Sequence, residues 1–119
     1  MFDLDDQHPI PNLEVVDIQV VKKGGGSDLR IIIASPLQDD VRSLERLMLK
    51  IERYFGFTKS QEFVAESGVA TVDNTKFIVC IHPDSSRVAF DLLERCKPWA
   101  IENGVTLEVD KDIVIDCWH

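Results

Sequence analysis

Asp28-Leu29-Arg30-Ile31-Ile32-Ile33-Ala34-Ser35-Pro36-Leu37-Gln38-Asp39-Asp40 is the stretch on which the fold turns. Its first half reads as a strand. Leu29, Ile31 and Ile33 point one way, Ile32 and Ala34 the other. Both faces are apolar, which places the strand near the centre of a sheet. Its second half reads as a helix start, with Ser35 as cap, Pro36 at the first helical position and Gln38 completing a capping box. Asp39 and Asp40 then suit the positive end of the helix dipole.

Working outward, the helix continues on one apolar face through Leu37, Val41, Leu44, Met48, Ile51 and Phe55, widened by Leu47 and Tyr54. Gly56 supplies its expected stop. Upstream, Val16, Ile18 and Val20 alternate with Asp17 and Gln19 over 13–22, the period of a half-buried strand. Lys23-Gly24-Gly25-Gly26-Ser27 joins this strand to the central one, predicting an antiparallel hairpin. Residues 1–12 hold three aspartates and two prolines and are expected to form an acidic flexible arm before a single domain over 13–119.

Downstream, 58–74 supports no single element. Phe63 and Ala65 fit a short strand, and Gly68 and Asp73-Asn74 fit turns. Residues 76–82 form a second central strand, with Phe77, Val79 and Ile81 opposed to Ile78 and Cys80. Pro83-Asp84-Ser85-Ser86 opens a second helix buried along Ala89, Leu92, Leu93 and Cys96. Pro98 predicts a kink in it, and Asn103-Gly104 its end. Val105, Leu107 and Val109 give an outer strand, Asp110-Lys111 a bend, and Ile113, Ile115 and Cys117 a last strand. The order β-β-α-(β)-β-α-β-β predicts an α+β two-layer sandwich. Two helices cover one face of a mainly antiparallel sheet of four to six strands, in a ferredoxin-like variant.

Asp28 to Leu37, the run Leu47-x-x-Lys50-Ile51-x-x-Tyr54-x-x-Phe57, Ile81-His82-Pro83-Asp84-Ser85 and Leu92-Leu93-x-x-Cys96-Lys97-Pro98-Trp99 together resemble a family of small uncharacterised bacterial α/β proteins over roughly 13–110. The resemblance implies a single bacterial cytosolic domain and no catalytic residue.

The chain of 119 residues carries 13 Lys+Arg against 21 Asp+Glu, a net charge of −8. That argues against a nucleic-acid binder, which needs clustered cations on phosphate. No apolar run approaches ~18 residues, so no membrane span is expected. The N-terminus lacks the pattern of a signal peptide. Three scattered cysteines suit a reducing cytoplasm better than a disulfide framework. The charge is uneven: −5 over 1–21, +1 over 22–100 and −4 over 101–119. If the terminal strands lie together, Asp17, Glu108, Asp110 and Asp116 form one acidic face for a basic partner.

Six candidate features remain. Cys80-x-His82 and Cys117-x-His119 are two Cys-x-His pairs; their spacing is looser than a structural zinc site, and no metal or other cofactor is expected. Cys96 sits between Arg95 and Lys97 yet on the apolar stripe, where a thiol is inert. Asp39-Asp40 diverge around a helix, and Gly24-Gly25-Gly26 lacks the Gly-Lys-Ser/Thr of a phosphate loop. Arg42, Arg46, Lys50 and Arg53 form a basic ridge along the first helix, by default a solvated face and otherwise a contact for an acidic partner or a nucleotide phosphate. Trp99, just after Pro98, suits an interface anchor. The reading is a non-enzymatic protein-binding module, in one version an immunity or antidote protein masking a basic toxin. The alternatives are a small-molecule or nucleotide-binding regulatory domain, or an enzyme using Cys80, Cys96 or His82. The sheet edges also permit a homodimer, although their acidic residues oppose pairing.

Overall fold

The computed structural model describes residues 8–111 of the chain. The elements are β1 (Ile18–Val21), β2 (Ser27–Ile33), α1 (Val41–Thr58), α2 (Gln61–Ser67), β3 (Lys76–Ile81), α3 (Arg87–Glu102) and β4 (Thr106–Asp110). The sheet order follows the chain, β1-β2-β3-β4. β1 and β2 form the expected antiparallel hairpin, Ile18 opposite Arg30. β2–β3 and β3–β4 are parallel, with Leu29 beside Phe77 and Phe77 beside Leu107. Among the described residues the fold is therefore α+β, but with a mixed, mostly parallel sheet and three helices in place of the expected antiparallel sheet and two. Each parallel pair is joined through a crossover that contains helix, as parallel neighbours require.

The core is built from one parity of each strand: Leu29, Ile31 and Ile33, then Phe77, Val79 and Ile81, then Leu107. The helices pack on that face through Leu47, Ile51, Tyr54 and Phe55 of α1, Phe63 of α2, and Ala89, Leu93, Cys96 and Ala100 of α3. Phe77 is the hub. Tyr54 meets it edge-on at 5.5 Å and Phe55 stacks on it at 5.4 Å.

Three local expectations are corrected. First, 61–67 is a helix rather than a strand. Ser60 caps it by accepting the Phe63 N–H, and Phe63 and Ser67, four apart, share its buried face. Second, α1 begins at Val41, because Asp40 and not Ser35 caps it. The loop before it is occupied elsewhere: the Leu37 N–H donates to Ser85 Oγ and the Leu37 carbonyl accepts from Ser86 N–H. Third, Gly56 lies inside α1, which runs on to Thr58. α3 runs from Arg87 to Glu102 with Pro98 inside it, and Asn103 caps its end as expected.

The arm is the largest departure. Its residues 1–7 lie outside the described residues. Residues 8–12 are not loose: Ile10 is 1% exposed, and Leu13 beyond them is equally buried. They lie along α1 and turn its buried face. Val41 and Met48, expected inside, are exposed, while Ser43, Arg46 and Lys50 are buried. The expected last strand at Ile113, Ile115 and Cys117 falls outside the described residues.

Candidate functional site

The basic ridge is the first sequence candidate, and half of it is not a surface. Arg46 donates from Nε and Nη2 to the Ile10 carbonyl at 2.9 and 2.7 Å. Lys50, 2% exposed, donates to the carbonyls of Asn12 and Val15 and pairs with Asp17 at 3.2 Å. Arg53 pairs with Glu14 at 3.2 Å on the exposed margin, and Arg42 is exposed. One turn on, Tyr54 accepts the Asp17 N–H and donates to the Arg30 carbonyl. Spacings of three and four put these side chains on one stripe. That stripe holds the backbone of 10–17, so Arg46 and Lys50 are not available to a phosphate or an acidic partner.

Burial pushes the Lys50 amine down from its usual range, and Asp17 partly offsets this. Burial pushes the Tyr54 phenol well up, with the Asp17 charge adding to it. A titration follows, because Tyr54 is the chain's single tyrosine. Above pH ~10 an unfolded chain loses the phenolic proton and the folded one keeps it, so this group's contribution to stability falls as pH rises. The near-ultraviolet absorbance of tyrosinate is expected to rise only together with loss of the circular-dichroism signal. A smooth rise in the still-folded chain would refute the buried donor role. Lys50 acts in the opposite sense below its usual pKa of 10.5, so the phenol itself is the cleaner readout.

Sequence reasoning missed a second polar chain, His8, Ser43 and Asp40. His8 Nε2 lies 2.9 Å from Ser43 Oγ, which donates to Asp40 Oδ1 at 2.7 Å. The order suggests an activated serine. The hydrogen bonding denies it. His8 Nδ1 accepts the Ile10 N–H, so a neutral ring carries its proton on Nε2 and donates to the serine. A general base must accept at that nitrogen. Asp40 accepts both the Ser43 hydroxyl and N–H, which hold its carboxyl below the usual range and make it a weaker base. The chain fastens the arm to the N-terminus of α1. No spacing signal could have found it, since His8 and Ser43 are 35 residues apart.

The remaining sequence candidates are scattered. Cys80 is fully buried, with Arg30 Nη1 at 3.6 Å from its sulfur, and His82 Nδ1 accepts the Asp84 N–H. Cys117 and His119 lie outside the described residues, among which no group of three or more His, Cys, Asp or Glu could hold a metal. Cys96 is buried on α3 and desolvation raises its pKa, which lowers its thiolate fraction.

The acids expected to form one face are also apart. Asp17 immediately precedes β1, whereas Glu108 and Asp110 lie on β4, at the opposite edge of the sheet. Two strands separate the edges, about 14 Å at the usual strand spacing. Asp17 is committed to Lys50 and to the Ile32 N–H, and Glu108 to Lys76 at 3.1 Å. Asp116 lies outside the described residues. The expected single acidic face is therefore not assembled among the described residues.

Trp99 is the candidate that the molecule presents. It is half-buried on α3, with its ring edge-on to Phe55 at 4.7 Å. Beside it lies a groove of 510 Å³ lined by Glu52, Arg53, Phe55, Gly56, Lys59, Trp99 and Asn103. Gly56 is among the lining residues. Glycine inside a helix costs about 1 kcal/mol relative to alanine, and a Cβ there would meet nothing within 4 Å. The missing side chain leaves a dent over the last turns of α1, with an aromatic wall and a rim of both charges. Lys59 Nζ donates to Asn103 Oδ1 at 2.8 Å and ties α1 to α3 across it.

The sequence matches no family model, and neither the curated proteins nor the solved structures give a match. Among the described residues, no helix is long and apolar enough to cross a membrane.

Proposed function

We propose that this chain is a protein-binding module that docks its partner on the Trp99 groove. The observation that carries the reading is the half-buried indole beside the dent over Gly56. Tryptophan is among the residues most enriched at interface anchors, and the dent has room for an apolar side chain from the partner. The net charge of −8 favours encounter with a basic partner, as an antidote to a basic toxin would need. The rim itself, with Arg53 and Lys59 against Glu52, offers contacts of both signs.

The test is affinity capture with the intact chain as bait, comparing wild type with Trp99→Ala and Gly56→Gln. Gly56→Gln builds into open space and leaves the indole in place, so it separates lost docking from lost folding. Both variants are expected to weaken binding of the captured partner about 30-fold, the effect of losing one anchor worth ~2 kcal/mol. A partner retained equally by all three chains would refute the groove as the docking site.

A further inference from the structure

A second cavity lies at the other end of α3. Strands β2, β3 and β4 run parallel, so the chain leaves β3 and β4 at the same end of the sheet. Pro83 follows β3, while Val109 and Lys111 lie at the end of β4. Phe90 and Glu94, four apart on α3, share one helix face. These five residues line a cavity of 370 Å³. Phe90 and Val109 are partly buried against the core and give it an apolar floor. Among the described residues, its charged groups are one carboxylate, Glu94, and one ammonium, Lys111.

The size is at the small end of ligand cavities, which run from about 300 to 1,000 Å³. That suits a metabolite of amino-acid size and not a dinucleotide. The charges narrow it further. A simple anion would face Glu94, and a simple cation would face Lys111. A molecule carrying both charges on an apolar body satisfies both. Glu94 does have an ion pair, with Lys97 at 3.0 Å, but both side chains are well exposed. Such surface pairs hold weakly and yield to a better partner.

We infer that this cavity binds a free amino acid with an apolar side chain, its carboxylate on Lys111, its ammonium on Glu94 and its side chain over Phe90 and Val109. The site shares no residue with the Trp99 groove, so the two readings fail or stand separately.

L-leucine is the probe, titrated into the full chain and followed by calorimetry and by amide NMR shifts. Saturable binding is expected, with shifts centred on Phe90, Glu94, Val109 and Lys111. Leucinamide, which lacks the carboxylate and mimics a peptide N-terminus, should bind about tenfold more weakly or worse, as should N-acetyl-leucine, which lacks the ammonium. Glu94→Gln and Lys111→Gln, both at the surface, should each weaken leucine about tenfold, and Gly56→Gln should leave it unchanged. Absence of saturation at about 10 mM, or binding that neither surface variant weakens, would overturn the proposal. Equal affinity for leucinamide or N-acetyl-leucine would overturn it too, by assigning the cavity to a peptide terminus.

Discussion

Replacing Lys50 with alanine is expected to cost on the order of 3 kcal/mol of folding stability, read as a lower midpoint in urea at unchanged slope. The Lys50 side chain is 2% exposed, and its ammonium serves three acceptors, the carbonyls of Asn12 and Val15 and the Asp17 carboxylate. Alanine removes the donor and leaves all three. Buried acceptors without partners cost about 1–3 kcal/mol each. Asp17 is 23% exposed and recovers water, which keeps the total near the lower end for a broken buried pair.

Two comparisons isolate the cause. Asp17→Asn removes the charge while leaving an oxygen for the Ile32 N–H, and should cost about 1 kcal/mol. Lys50→Met keeps the aliphatic stem, so it restores packing and still lacks the donor. It should recover only part of the loss. If Asp17→Asn proved as damaging as Lys50→Ala, the ion pair and not the carbonyl contacts would hold the arm. A Lys50→Ala cost below about 1 kcal/mol would mean that 10–17 is held by Ile10, Leu13 and the contacts of Arg46 and Tyr54 rather than by Lys50.

What the sequence shows in advance is set by local periodicity. β2 alternates buried and half-buried along its whole length, and β3 is buried at every position but Lys76, as their apolar patterns require. The direction of pairing is not local. Whether β3 lies parallel or antiparallel to β2 depends on how 34–75 crosses the sheet, and seven residues at 61–67 are too few to separate helix from strand by period. The ridge shows the same limit. Its spacing of four, four and three places Arg42, Arg46, Lys50 and Arg53 along one helix. Periodicity fixes which residues share a side, however, and not what packs there. Arg46 and Lys50 meet backbone carbonyls, which leave no trace in the identity of residues 10–15.

The two cavities are legible in part for related reasons. Trp99 stands out because an aromatic after a proline near a helix end is poorly placed for a core. Gly56 reads as a helix stop, since glycine signals a C-terminus more often than a dent. The helix passes through it because Thr58 is buried and its hydroxyl donates to the Phe55 carbonyl, holding the last turn. The amino-acid cavity leaves no local mark, because Pro83, Phe90 and Val109 come together only once β3 and β4 are parallel.

The three glycines of the hairpin should respond to alanine in a steep order, and Gly26→Ala should be the most damaging. Gly26 has φ +81°, and a Cβ on it would overlap the Asn74 carbonyl group. Left-handed backbone alone costs a non-glycine residue about 1–2 kcal/mol. The contact is with backbone, so relief requires the hairpin or the loop before β3 to move, adding roughly 1–3 kcal/mol. Movement also strains the hydrogen bond from the Gly26 N–H to the Ser67 carbonyl, and the neighbouring contact between the Ser27 and Ser67 hydroxyls. The expected total is about 4 kcal/mol. Gly25 has φ +104° but its nearest atom is 3.5 Å away, so Gly25→Ala should cost only the backbone part. A Cβ on Gly24 meets nothing within 4 Å, and Gly24→Ala should fall within about 0.5 kcal/mol of neutral. Urea midpoints of the three variants test the order. Equal effects would reduce the run to a flexible linker, whereas the steep order would make Gly26 the point where the hairpin is locked against the α2–β3 connection.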